Sequence, residues 1–114
     1  MSGVNTVTDA QIADLAATAK PYSLVQLSWA SGRHQPGADA IEREHQRRMV
    51  SLRADGTIAV LCPVLSEGLC GIAIMTQTLE QARETMAADP CVQAGMMAVE
   101  VLPCVGFPGD SLPG

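Results

Sequence analysis

Two nearly continuous apolar runs, residues 57–62 and 69–75, meet across a short segment carrying Pro63 and Ser66-Glu67-Gly68, and this pair constrains the fold most. Short apolar runs rich in β-branched residues and parted by turn formers read as the two strands of a hairpin. Outside each run lies a helical pattern, and beyond each helix a further strand-like run. The order is therefore β-α-β-β-α-β. Right-handed crossovers in its two β-α-β halves give a four-stranded antiparallel sheet with both helices on one face. With 114 residues there is room for one such α+β domain.

The outer elements have their own signals. Residues 22–29 alternate, with Ser23, Val25, Leu27 and Trp29 on one side and Tyr22, Leu24, Gln26 and Ser28 on the other. A glycine- and proline-bearing loop over 30–37 follows, carrying Arg33 and His34. From 38 to 53, Ala38, Ile41, His45, Met49 and Leu52 form one helical stripe, opposite a charged face of Glu42, Arg43, Glu44, Arg47 and Arg48 that reads as solvated. Thr78-Leu79-Glu80-Gln81 has the form of a capping box and opens a second helix, with Leu79, Ala82, Met86 and Ala87 inward. Pro90 disfavours helical geometry at Asp89, so that helix ends there. A fourth strand over 95–102 precedes a tail rich in proline and glycine. Thr8-Asp9-Ala10-Gln11 is another capping box, and a helix over 9–19, stopped by Pro21, is expected to pack as an accessory element. The expected divisions are a loose terminus over 1–7, an accessory segment over 1–21, the α+β domain over 22–105 and a flexible tail over 106–114.

Helices on one face leave the other face of such a sheet bare. Strands two and three are apolar on both sides, so that face calls for a cover, and an identical sheet from a second copy is the simplest one. A homodimer is expected.

Composition excludes several partners. Net charge is −5, with seven basic residues, none in a run, and three aromatics (Tyr22, Trp29, Phe107). A nucleic-acid surface needs clustered Lys and Arg, usually with stacking aromatics, so nucleic acid is not an expected partner. No apolar run approaches the roughly 20 residues that span a bilayer, and no secretory leader is evident; a cytoplasmic protein without membrane contact is expected. Cys62, Cys70, Cys91 and Cys104 form no C-x-x-C and no metal-like spacing with His34 or His45. They read as reduced packing cysteines, and no metal site is expected. Cys91, just after the Asp-Pro step, is the candidate if any thiol is reactive.

Two residues stand out for chemistry. His45 occupies an apolar stripe where leucine would pack, and a buried imidazole beside an acid can act as a general base or acid. Asp89, fixed at a helix end by Pro90, is the matching acid. A satisfied core histidine and a turn-forming aspartate remain the alternative reading of the same residues. Arg33 and His34 on their loop, with Met49 one turn beyond His45, are the candidate substrate contacts.

The order of these motifs resembles the YciI-like group of the dimeric α+β barrel superfamily. The resemblance rests on the Tyr22-Ser-Leu-Val-Gln-Leu strand, Arg43-Glu-His45 with Met49, Leu79-Glu-Gln-Ala82, and Ala88-Asp89-Pro90-Cys91-Val92-Gln93-Ala94-Gly95 running into Val99-Glu-Val-Leu-Pro103. It covers roughly residues 22–105, and where the family usually has Gly-Pro after its second strand this chain has Cys62-Pro63. The resemblance implies a ferredoxin-like protomer, a homodimer, no bound cofactor, and a His and Asp active site that falls on His45 and Asp89. Relatives include dehydrochlorinases of chlorinated aromatic breakdown and lactone isomerases, so a lyase or isomerase acting on a small ring compound is the implied activity. A dimeric module that only binds a small ligand is the alternative.

Overall fold

The structure, a computed structural model, describes residues 6–114. Its elements are α1 (Asp9–Ala16), β1 (Lys20–Trp29), α2 (Ala38–Ala54), β2 (Ile58–Pro63), β3 (Leu69–Met75), α3 (Leu79–Ala87), α4 (Pro90–Gln93) and β4 (Met97–Gly106). The four strands form one antiparallel sheet in the order β2-β3-β1-β4, the ferredoxin-like arrangement expected of two crossed β-α-β halves. The loose terminus expected over 1–7 lies mostly outside the described residues.

Burial follows the strand alternation. In β1, Ser23, Val25 and Leu27 are buried while Tyr22, Leu24, Gln26 and Ser28 are half-buried. Val25 pairs with Ala73 of β3 and Val101 of β4, both buried, which puts all three on the helix-covered face. Met49 of α2 and Ala82 and Met86 of α3 close over this face. Each large side chain fully buried here, such as Ile58 or Met75, contributes about 1.5–3 kcal/mol. The opposite face carries a row of Val60, Ile74, Leu24 and Leu102, set side by side by the register and only half-buried.

Several elements differ from expectation, each for a local reason. The first strand starts at Lys20, two residues early, because Pro21 lies beyond the reach of β3 and pairs only with β4. β4 starts at Met97 and continues through Pro103 to Gly106, because β4 is an edge strand and a missing N–H is tolerated there. The domain thus extends to residue 106. Phe107 is half-buried and closes a turn by accepting a hydrogen bond from the Asp110 N–H at 3.1 Å. α1 ends at Ala16, and none of its residues is buried; Ile12 and Leu15 stay half-exposed, so it does not pack on the body as expected. Both capping boxes form. Ala87 is exposed where it was expected inward, because the apolar face of α3 narrows to Ala82 and Met86. Met96 and Met97 are both buried.

Candidate functional site

α3 ends at Ala87, two residues before the Asp89-Pro90 step, and a new one-turn helix starts at Pro90. Asp89 adopts φ −66° and ψ 136°, extended backbone that the following proline favours. It is the N-cap of α4, with Pro90 at the first position, where no N–H is needed. Its Oδ2 accepts from the backbone N–H of Cys91 at 3.0 Å and of Val92 at 3.4 Å. These bonds fix the carboxylate at a point wholly removed from solvent.

His45 meets it there from the inward stripe of α2. The imidazole Nδ1 lies 2.9 Å from Oδ1 and 2.8 Å from Oδ2 of Asp89, and the His45 residue is only 9% exposed. An ionised carboxylate only accepts hydrogen bonds, so Nδ1 carries the proton and donates. In the neutral ring, Nε2 then holds the lone pair. Among the described residues Nε2 has no hydrogen-bond partner, yet it is not among the buried unsatisfied atoms and so keeps contact with solvent.

His45 lines a cleft between α2 and the sheet, a space of about 360 Å³. Its α2 wall presents Glu42, His45, Gln46 and Met49, and its sheet wall is apolar, with Leu27, Trp29, Leu61 and Met97. Of the expected substrate contacts, Met49 lines this cleft. Arg33 stands at its margin, its guanidinium 4.1 Å from the centroid of the Trp29 ring in a cation–π contact. His34 does not join them; it is exposed and faces a separate surface depression with Gln35, Gly37 and Asp39.

The loop bearing Arg33 is anchored by hydrogen bonds. The Gly32 N–H donates to the Gly95 carbonyl at 3.0 Å, and the Gln35 amide donates to the carbonyls of Gly32 at 2.9 Å and Ala94 at 2.8 Å. A Cβ on Gly32 would sit 2.6 Å from the Gly95 oxygen, so only glycine allows this approach. The loop is thereby tied to the segment that follows Asp89.

Two residues assigned to the solvated face of α2 belong to the site instead. Arg48 is 28% exposed; one guanidinium nitrogen donates to the Thr85 carbonyl at 2.7 Å. The other, buried and without a hydrogen-bond partner among the described residues, lies 3.8 Å from Oδ1 of Asp89. Glu42 is half-buried and lines the cleft. Both stand three residues from His45, and the i±3 relation on a helix is the signal that could have found them.

Cys91 is buried beside the dyad, with its thiol pushed up to about 12 by burial and then by the Asp89 charge. It is a packing residue and not a reactive thiol, because both effects disfavour the thiolate. His45, Asp89 and Cys91 could each offer a ligand atom within 4.8 Å of the others. The chemistry does not suit a cation: the thiol holds its proton, the carboxylate is committed to His45 and two amides, and the Arg48 guanidinium already stands beside it.

No protein-family model matches the chain, and no curated protein matches it. Among the described residues no helix is long and apolar enough to cross a membrane.

Proposed function

We propose that this protein is a small cofactor-independent enzyme in which His45 is a general base, moving a proton on a small ring compound in an elimination or isomerisation step. The observation that supports this reading is the doubly contacted Nδ1 of His45, which leaves a basic Nε2 in contact with solvent at an apolar cleft. A structural His–Asp pair would satisfy Nδ1 equally well; the feature that favours catalysis is the position of His45 on the wall of the cleft. Asp89 fixes the tautomer and balances charge as the ring takes up a proton, the role an aspartate plays behind a catalytic histidine. The sequence resemblance to YciI-like proteins points the same way.

A homodimer formed by the bare sheet face completes the proposal. The half-buried row of Val60, Ile74, Leu24 and Leu102 supports it, since apolar rows of this kind are normally covered. Light scattering at micromolar protein should give twice the chain mass, and a stable monomer would exclude that assembly.

The enzymatic reading is tested by incubating the protein in D2O with small neutral lactones and chlorinated enol-lactones, following deuterium uptake and product by NMR. His45→Ala and Asp89→Asn should each abolish exchange and turnover of any compound the wild type processes. Full activity in both variants would exclude the dyad. Reversible binding without exchange or product would favour the ligand-binding module.

A further inference from the structure

The two chemically distinct walls of the cleft carry an inference about what it admits. Its body is apolar, formed by Leu27, Trp29, Met49 and Leu61, so a ligand must bring an apolar surface. Its polar atoms are gathered on α2. His45 Nε2 is an acceptor in the neutral ring, because Nδ1 donates to Asp89. Glu42, one turn before it, offers a carboxylate. That carboxylate forms no ion pair and no side-chain hydrogen bond among the described residues, where the ion pairs are His45–Asp89, Arg47–Glu44 and Arg48–Asp89.

Among the residues that line the cleft, Glu42 is the one Asp, Glu, Lys or Arg side chain. Arg48 points away, bonded to the Thr85 carbonyl and set beside Asp89. Arg33 is stacked on the Trp29 ring and does not line the cleft. Asp89 and the thiols of Cys70 and Cys91 add no positive charge. Burial is the main influence on the Cys70 and Cys91 thiols; at Cys70 the charge of Arg33 lowers the thiol and Glu42, a smaller influence, raises it, and Glu42 also raises Cys91.

We infer that the cleft selects a neutral, largely apolar small molecule bearing a hydroxyl or N–H donor, and that Glu42 is the specificity residue that rejects carboxylates. This rests on the cleft being the substrate site. A donor on the ligand meets an acceptor at either Glu42 or Nε2, whereas an anion finds the neutral amide of Gln46 as its donor and meets the unpaired like charge of Glu42 in a partly desolvated space. Specificity here comes from repulsion as much as attraction.

Trp29 is the only tryptophan in the chain and lines the cleft, so its emission reports occupancy without any turnover. The probes are 4-ethylphenol, 4-ethylanisole and 4-ethylbenzoate, matched in shape and titrated at pH 8 against wild type, Glu42→Gln and His45→Ala. In wild type the phenol should bind most tightly, the anisole less so, and the benzoate at least about tenfold more weakly than the phenol, a gap of about 1.4 kcal/mol. Glu42→Gln should reduce that gap to threefold or less by admitting the benzoate. In His45→Ala the benzoate should remain excluded, since Glu42 is still present.

Equal or tighter binding of the benzoate by wild type would overturn the inference and give charge selection to Arg33. An unchanged gap in Glu42→Gln would overturn the role of Glu42, and absence of binding by all three probes at millimolar concentration would overturn the ligand class. None of these results bears on whether His45 moves protons, which the deuterium-exchange assay decides separately.

Discussion

Removing the Asp89 carboxylate is the most informative single perturbation. In Asp89→Ala the His45 Nδ1–H and the N–H groups of Cys91 and Val92 lose their acceptor, and Arg48 loses the carboxylate 3.8 Å from its guanidinium. Loss of the N-cap alone costs about 1 kcal/mol. Breaking a buried pair by deleting one partner costs about 3–5 kcal/mol, and the cap loss is part of that range here because one carboxylate serves both roles. A total of about 3–5 kcal/mol is a large part of the roughly 5–15 kcal/mol that holds a domain of this kind folded. At roughly 4 °C per kcal/mol for this chain length, Tm should fall by about 12–20 °C. Asp89→Asn should be milder, about 1–3 kcal/mol, because asparagine still caps α4 through its carbonyl oxygen while its amide cannot accept from Nδ1. Urea denaturation at pH 7, with m-values compared across variants, measures both. An unfolding free energy within about 0.5 kcal/mol of wild type for Asp89→Ala, the range of an ordinary surface substitution, would refute the picture of a buried, multiply bonded carboxylate.

Further outcomes follow from other parts of the molecule. The exposed Cys62 should react first with a thiol reagent, and Cys91, buried and raised to about 12, should react only on unfolding; prompt labelling of all four thiols in native protein would contradict this. Gly32→Ala should destabilise by about 1–3 kcal/mol, since its Cβ overlaps the Gly95 carbonyl, and should alter Trp29 emission by displacing Arg33; an unchanged melt and spectrum would count against the tie. The Asp55 carboxyl is held below its ordinary value by its bonds with Thr57, side chain first and then backbone N–H. Its stabilisation is therefore present above the ordinary value of 3.8 and lost as pH falls through the lowered one. The gap in urea midpoint between wild type and Asp55→Ala should close across that acid range, and a gap independent of pH would contradict it.

The fold was legible because each element had its own cue in the chain. The hairpin runs, the two capping boxes and the proline at 90 set element order, and order sets topology through crossover handedness. Boundaries were less legible: Pro21 and Pro103 read as breaks, yet their tolerance depends on which strand neighbours them, a tertiary fact. The dyad was legible as two odd residues, a histidine on an apolar stripe and an aspartate before proline. Their meeting was not, because the distance between two helices on a sheet depends on packing and not on spacing along the chain. Arg48 and Glu42 were missed because a long charged side chain on the flank of a helix can turn either way. His34 lies away from the cleft although it follows Arg33, because neighbours on a loop need not share a cavity.

The central claim is that Asp89 holds the His45 ring with its proton on Nδ1 and its lone pair at the cleft. The direct measurement is the ring tautomer, read from long-range 1H–15N correlations of native protein at pH 8, with His34, the only other histidine, removed by His34→Gln to leave one set of signals. The account predicts a protonated Nδ1 and an unprotonated Nε2 in wild type, reversed in Asp89→Asn. A wild-type ring protonated on Nε2, or one averaging freely between tautomers, would contradict it.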